Sequence, residues 1–524
     1  RSASFPPPDP PGAAAMLQPG DSCSSRELRE LAAALDGCQD GPLRGTAGPQ
    51  PGDRQLLRKL ALVGLPVYPV ALVQRLLGLL SAALVGHLGD TEALAAIGLC
   101  NVISNITGYS WLWGLSGAIS TLSAQAWGAR SYHAVGLYLQ RGFLVLVCFA
   151  DLPLLVLWLS ADRCLEAVGQ PPEVSRLVGL YMRLRIPGVF FETVNVVLNR
   201  TLTSIEKSRI TMLVTVPVIL TNVALSFLLI PTMGFLGAPI VATTCDAVQV
   251  FAITILAFRD PDFRQCWSGL TRDAWRGWGA FLRLSCPSLA LLAVEWWTWD
   301  LQSFLAGFIS PQALATQSVA PQITDLQYSV GQALNNAACT VIGNLLGEGR
   351  PAAARRAACL IMAVCAALMA VQAGLFLALR TKIPRIFTTD ETILEDIAAL
   401  LPLTLLFSFL DGQQCALAGV LVAAGRQGLA APLIFFCYWV VGVPLGALLA
   451  FGKLGGRAWG LTGLWTGMLV AVVLHVLCFS VAVLRLDWEK AAFDAQKHAE
   501  AERLGPNAGV SLVLADSEGV VAAE

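Results

Sequence analysis

Seven acidic residues lie where acids are costly to keep. Asp151, Glu192, Asp246, Glu295, Asp300, Asp325 and Asp411 each fall within a long apolar stretch of the chain. If such a stretch crosses a bilayer, an ionised side chain near its centre costs about 2.5–3.5 kcal/mol on insertion scales, so an acid retained there is a candidate for binding a cation or a proton. Glu295 follows Pro287 by two helical turns and adjoins Trp296 and Trp297 (PSLALLAVEWW), while Asp411 precedes a Gly and two Gln (FLDGQQC). A carboxylate among tryptophans and apolar helices is poorly hydrated, which favours uptake of a proton, the step that proton coupling requires. The alternative for each is a permanent hydrogen bond inside a helix bundle. For Asp151 and Glu192, pairing with Arg183 or Arg185 is an equally good account. Asp246, flanked by Thr and Gln, and Asp300 carry no further sign of their role.

One stretch is polar along its length: Gln317, Gln322, Thr324, Asp325, Gln327, Gln332, Asn335 and Asn336. At helical spacing much of this set shares a face, which can line a wet cavity or join neighbouring helices by amide hydrogen bonds. Gln317, Gln322, Asp325, Trp296 and Gln414 are the candidate cavity residues, beside Glu295 and Asp411 as the proton-coupling pair. Arg75 can snorkel or pair with an acid. The four histidines, His87, His133, His475 and His498, lie far apart, and the fourteen cysteines form no CxxC pair. No metal site or cofactor is therefore expected. No GxxxxGK[ST] loop and no compact catalytic constellation occurs, so enzyme chemistry is not expected either.

These residues need a scaffold of membrane helices. Of 524 residues, 55% are hydrophobic and 14% charged, against roughly 25% charged in a soluble chain, and the mean hydropathy is +0.63. The net charge of -1 leaves no electrostatic footprint for nucleic acid. A bilayer core needs about 20 largely apolar residues in helical form. Apolar segments near 60–86, 94–121, 136–161, 175–203, 209–231, 235–258, 281–308, 313–345, 357–379, 396–423, 428–451 and 459–484 predict an all-α polytopic membrane protein. Lys and Arg crowd alternate loops and the tails, leaving only Arg163, Arg176, Arg380, Lys382, Arg385, Lys453 and Arg457 on the other side. The positive-inside rule then puts both termini in the cytoplasm.

An internal offset near 219 aligns QAWGARSYHA, from Gln125, with NLLGEGRPAAAR, from Asn344, and EKSRITMLVTVP with GRQGLAAPLIFF. LALVGLP, ending at Pro66, aligns with the segment around Pro287 at 221. This is a parallel repeat of two six-helix lobes. The expected organisation is a disordered arm at 1–55 with a short amphipathic helix near 25–35, a first lobe at 56–258, an inner-leaflet loop at 259–280, a second lobe at 281–485, and a cytoplasmic tail at 486–524. The missing initiator Met suggests an incomplete amino terminus. Pro66, Pro217, Pro287 and Pro444 are possible bends.

The segments GHLGDTEALAAIGLCNVISNITGYS, AQAWGARSYHAVGLYLQRG, PSLALLAVEWW, FLDGQQCALAGV, YWVVGVPLGALLAFGKLGG, GLWTGM and DWEK together resemble the multidrug and toxic compound extrusion (MATE) family, its plant-like eukaryotic branch above all. The resemblance implies a V-shaped pair of six-helix lobes and a cation-driven antiporter acting by alternating access. It further implies proton sites at Glu295 and Asp411, with Gln322 at the position of a helix-8 amide. Exchange of organic cations or plant-type secondary metabolites for protons is then expected, by a monomer, in the plasma membrane or a vacuolar-type endomembrane. Val422, Ala423, Val341 and Ser120 depart from the family's pattern, as does a first span without Asp, which argues against a sodium site in the first lobe. A lipid-linked oligosaccharide flippase of similar duplicated architecture is the alternative, and it would require a strongly basic cavity.

Overall fold

The computed structural model describes residues 50–86, 91–380, 382–386, 391–453 and 458–504, without the side chains of 75–86, 91–95, 311, 386, 503 and 504. The helix expected near 25–35 and the Arg75 side chain lie outside them. All regular structure among the described residues is helical. The long helices are α1 (Asp53–Gly86), α2 (Thr91–Ile103, a π-helical turn Ser104–Tyr109, Ser110–Leu115, then Gly117–Gly128), α3 (Tyr132–Leu146, a π turn Val147–Asp151, Leu152–Leu159), α4 (Pro172–Ser204), α5 (Ser208–Met233) and α6 (Gly237–Arg259). There follow α7 (Trp278–Gly307), α8 (Pro311–Gly347), α9 (Pro351–Ala378), α10 (Glu391–Ala423), α11 (Gln427–Phe435, a π turn Phe436–Gly442, Val443–Ala450) and α12 (Leu461–Leu484). Each overlies one expected span, with ends displaced by at most two turns.

Seven stretches are long and apolar enough to cross a membrane, and one of them, Ser208–Arg259, contains both α5 and α6. The long helices that fall short are α2, α4, α7 and α8. They hold Asn105, Arg185 and Glu192, Glu295 and Asp300, and the polar series from Gln317 to Asn336. Asp325 apart, these polar side chains are buried or half-buried, whereas Leu220, Phe251, Val371 and Leu477 of the apolar helices stand exposed, as lipid-facing side chains do.

The duplication governs how the lobes meet at the end of the bundle that the loop charges assign to the cytoplasm, here the inner end. Leu60 and Val63 of α1 pack into the apolar cluster of α8 and α9, while Phe281 and Leu284 of α7 pack into the cluster of the first lobe. These pairs are related by the offset of 221. Beside them α2 meets α8 reciprocally. A methyl group on Gly128 would overlap the carbonyl oxygen of Asn344, and one on Gly347 would overlap that of Gln125. Only glycine permits this approach from both sides. Thr121 donates to the Val422 carbonyl at 2.9 Å and Gln125 to that of Ala423 at 2.8 Å. Two of the four positions that depart from the family's pattern, Val422 and Ala423, thus offer backbone to this contact.

The repeated turns after α2 and α4 carry non-glycine residues at positive φ, Arg130 at 58° and Glu206 at 63°. Their counterparts at the offset of 219 are Gly349 and Gly425, also at positive φ. Holding a side chain in this region costs on the order of 1 kcal/mol, which glycine avoids. At Glu206 the side chain has an evident use: its carboxylate accepts from Asn344 at 3.0 Å and lies 3.6 Å from Lys59, which is 3.9 Å from Glu348. A chain of polar contacts crosses the seam here.

The carboxy-terminal segment expected as a tail contains a further helix, α13 (Trp488–Leu504). Its alanines recur at helical spacing and are buried. Ala491, Ala492 and Ala495 join the second-lobe cluster, and Ala499 joins the first. Ser131 donates to the Ala499 carbonyl, and the buried Arg141 pairs with Glu502 at 2.6 Å. Asp494 lies 3.9 Å from Arg426 of the second lobe. The helix therefore straps both lobes at the inner end.

The loop 259–280 lies against the first lobe. Gln140 of α3 donates to Gly269 and accepts from Thr271, and Lys207 pairs with Asp260 and Asp262 at 3.0 and 2.6 Å. Partial burial works against the Lys207 charge, but the two carboxylates outweigh it and hold the amine above its ordinary value. Trp275 is exposed and stacks on Trp278, as an interfacial segment would.

Gly347→Val should hold the inner ends of α2 and α8 apart. Spin labels at positions 130 and 350 should report a longer distance than in the unsubstituted background, and an unchanged distribution would contradict the close-packed seam.

Candidate functional site

Within the second lobe, α7, α8 and α10 enclose a cavity of about 260 Å³. Glu295, Trp296 and Trp299 reach it from α7, Pro321, Gln322, Thr324, Asp325 and Tyr328 from α8, and Phe407 and Asp411 from α10. Five of the seven candidates from the sequence meet here: Glu295, Asp411, Trp296, Gln322 and Asp325. Gln414 stands behind the wall, donating to Asp411 at 3.0 Å and also bonding Glu295. A single amide thus links the two carboxylates. Among the described residues neither takes part in an ion pair, and the lining contains no Lys, Arg or His.

Gln317 does not reach the cavity. It is fully buried and accepts a 3.0 Å hydrogen bond from the Trp465 indole. One face of α8 cannot serve both neighbours over its whole length. The middle, from Pro321 to Tyr328, turns to the cavity, while Asn335 donates to the Cys415 carbonyl of α10. Both readings of the polar stretch hold, for different parts of it.

Trp299, Tyr328 and Phe407 were not singled out from the sequence, although a signal existed. Trp299 is one turn beyond Glu295, Phe407 one turn before Asp411, and Tyr328 one turn beyond Asp325, so each shares a face with an acid. Trp299 meets both Phe407 and Trp465 edge to face, with centroids 5.4 and 5.7 Å apart, which fixes the aromatic wall.

The acids of the first lobe are held differently. Arg185 pairs with Asp246 at 2.6 Å and donates to the Tyr109 hydroxyl at 2.6 Å. Glu192 accepts from Asn195, which accepts from Gln249. Asp151 accepts from Thr193 at 2.9 Å, and Arg183 pairs with Asp162. The two arginines therefore pair with Asp246 and Asp162, where the sequence suggested Asp151 and Glu192 as their partners. Asp300 of α7 bonds Asn105 of α2, across the two lobes.

A family model described as MatE matches residues 66–228 and again 287–448, the second match beginning 221 residues after the first. The chain belongs to the MatE family. The mouse multidrug and toxin extrusion protein 1 is 30% identical over 86% of this chain and 78% of its own length. The Arabidopsis thaliana protein DETOXIFICATION 16 is 29% identical over 85% of this chain and 91% of its own. The crystal structure of the eukaryotic MATE transporter AtDTX14 superposes with a TM-score of 0.79 and 24% identity over 85% of this chain and 99% of that one. Its fold is shared: twelve transmembrane helices in two six-helix lobes, the V-shaped MATE architecture. The plant resemblance has partial support in DETOXIFICATION 16 and AtDTX14, and the mammalian proteins match as well. This MatE chain is a multi-pass membrane protein of a family of efflux transporters.

Breaking a buried ion pair by neutralising one partner costs about 3 kcal/mol or more. Asp246→Asn should therefore lower the unfolding free energy of the purified protein by about that amount, whereas Glu192→Gln should cost little. Equal stability of both variants would contradict a structural role for the Arg185 pair.

Proposed function

We propose that this chain exports organic cations or related polar organic solutes in exchange for protons, by alternating access. The observation that carries the reading is the pair Glu295 and Asp411, joined by Gln414 at the back of an aromatic cavity and without a cationic partner among the described residues. Two carboxylates in so dry a setting need compensation, which an organic cation and protons can supply in turn. Aromatic walls favour such a cation through the face of each ring as well as by apolar contact. The cavity acids speak against the lipid-linked oligosaccharide reading, which needs a basic lining. Each chain contains a whole cavity, which supports a functional monomer.

In the proposed cycle the cleft faces outward while the inner seam is closed. Protons arriving from the acidic side neutralise Glu295 and Asp411 and weaken their hold on the cation, which leaves. Inward opening then lets the protons go and a new cation enter. Plasma membrane and vacuolar-type endomembrane both supply the required proton gradient, with the termini on the cytoplasmic side.

Inward opening requires the seam to part. The bonds from Thr121, Gln125 and Asn344 must break, and α13 must release one of the lobes it straps. Pro287 lies within α7, between its seam half and Glu295, and relieves the helix of one backbone bond where movement is needed.

Reconstituted protein with Glu295→Gln should retain its fold, checked by monodisperse elution, and lose the acceleration of tetraethylammonium transport by an imposed pH gradient. Undiminished pH-driven transport would refute the proton assignment, and lipid scrambling in place of cation flux would favour the flippase. Glu206→Gly removes a tie across the seam at a backbone position that suits glycine, and Glu502→Ala releases α13 from Arg141. Either should increase alkylation of an Ala124→Cys reporter from the inner side. Unaltered alkylation in both would remove these contacts from the gate.

A further inference from the structure

A second concavity lies apart from the cavity acids, on the membrane-facing side of the second lobe. It is a groove of about 770 Å³ between α11 and α12. Leu421 of α10, Leu433 of α11 and Ala482 of α12 line it from the apolar cluster that joins these three helices. Leu429, Leu477 and Val481 line it too and stand exposed, as side chains that meet acyl chains do. The groove ends in charge. Arg426, in the turn between α10 and α11, and Arg485, just past the end of α12, both belong to its lining. Arg426 follows Val422 and Ala423, whose carbonyls take part in the seam, so the charged end is the inner one. Leu477 precedes Arg485 by roughly 12 Å of helix, which gives the apolar wall its depth.

Neither arginine is locked in place by a close ion pair among the described residues. Arg485 is exposed. Arg426 lies 3.9 Å from Asp494 of α13, beyond the about 2.7–2.9 Å of a tight charge-assisted bond. Asp487 also lines the groove, where one of its carboxylate oxygens accepts from the Lys490 amide at 2.9 Å and caps the start of α13.

We infer that this groove holds an anionic phospholipid of the adjoining leaflet, with its phosphate at Arg426 and Arg485 and an acyl chain along the leucines. Guanidinium groups keep their charge at all physiological pH values and match a phosphate with parallel hydrogen bonds. They stand where the last helical turns reach the headgroups, the level at which basic pockets between membrane helices take anionic lipids. A soluble anion would satisfy the arginines and leave the apolar wall without a partner. The site does not depend on the direction of transport or on the driving ion. It gives Arg426 two rival partners, the phosphate and Asp494, so an occupied groove loosens one tie of α13 to the second lobe.

The purified protein, titrated with dioleoyl phosphatidylglycerol and followed by native mass spectrometry, tests the site. Arg485→Gln should weaken binding about fivefold, the contribution of one arginine near a membrane surface. Arg355→Gln, the same loss of charge at the exposed start of α9, should leave binding unchanged. Val481→Trp fills the groove without altering either arginine and should also weaken binding. Both Arg485 and Val481 are exposed, so these variants should keep their fold, checked by monodisperse elution. Asp494→Asn should tighten binding by removing the rival for Arg426. Unchanged affinity in either Arg485→Gln or Val481→Trp overturns the site. Equal weakening by Arg355→Gln overturns it as well, by reducing the effect to surface charge. Complete displacement of the lipid by inorganic phosphate would leave a phosphate site and overturn the lipid assignment. Unchanged affinity in Asp494→Asn overturns the rivalry for Arg426.

Discussion

Inside an apolar helix bundle a carboxylate persists only beside a cation, in protonated form, or among enough donors and water to replace its hydration, and the two lobes of this protein meet that constraint by different means. In the first lobe Arg185 lies against Asp246 and Tyr109, and the remaining acids accept from Asn195 and Thr193. Such a network is largely satisfied within itself, one oxygen of Asp151 being buried without a partner, and it holds helices together. In the second lobe the balance is incomplete. Glu295 and Asp411 share Gln414 and face a cavity to which the described residues contribute no positive group. Charge that the protein does not neutralise internally must be neutralised from outside, and the proposed exchange starts from that need.

The frame around this asymmetry is nearly symmetric. Gly128 against Asn344 and Gly347 against Gln125 are the same contact made twice, and α1 and α7 each send their first turns into the other lobe. Contacts related in this way form and break together, because neither lobe can withdraw from one without disturbing its counterpart. A seam of this kind suits a two-state gate better than a graded one. The strained turns at Arg130 and Glu206 mark where the first lobe has left the pattern that glycine keeps in the second. At Glu206 the departure brings a carboxylate to Asn344 and Lys59. Backbone strain retained where a side chain makes a contact across the seam is consistent with a role in gating.

Much of this was legible in the sequence because the bilayer imposes a strong pattern. Apolar runs located all twelve long helices, and the offset near 219 anticipated the second match of the family model. Two acids beside tryptophans and glutamines were found for the same reason: in lipid a polar residue is conspicuous. What stayed hidden depended on rotation about a helix axis and on partners distant in sequence. Gln317 and Gln322 are alike in type and lie in the same stretch, yet one bonds Trp465 and the other lines the cavity. Arg183 and Arg185 were visible, but their partners Asp162 and Asp246 are set by the packing of α4 against its neighbours. The alanine face of α13 was hardest to see, since alanine is common on every kind of helix and only a close-packed surface gives its spacing meaning.

The division between a symmetric frame and asymmetric side chains also bears on how cargo and protons are coupled in the proposed exchange. In that proposal the same carboxylates hold the cation and take up the protons, so protonation itself supplies the loss of affinity that releases the cargo, since a ligand shifts an equilibrium only by its differential affinity for the two states. The difference between the loaded and released states then lies with Glu295 and Asp411, which face one cavity. These two acids stand on α7 and α10, away from the glycine contacts of α2 with α8, so on that reading the exchange site can vary without altering the seam that joins the lobes.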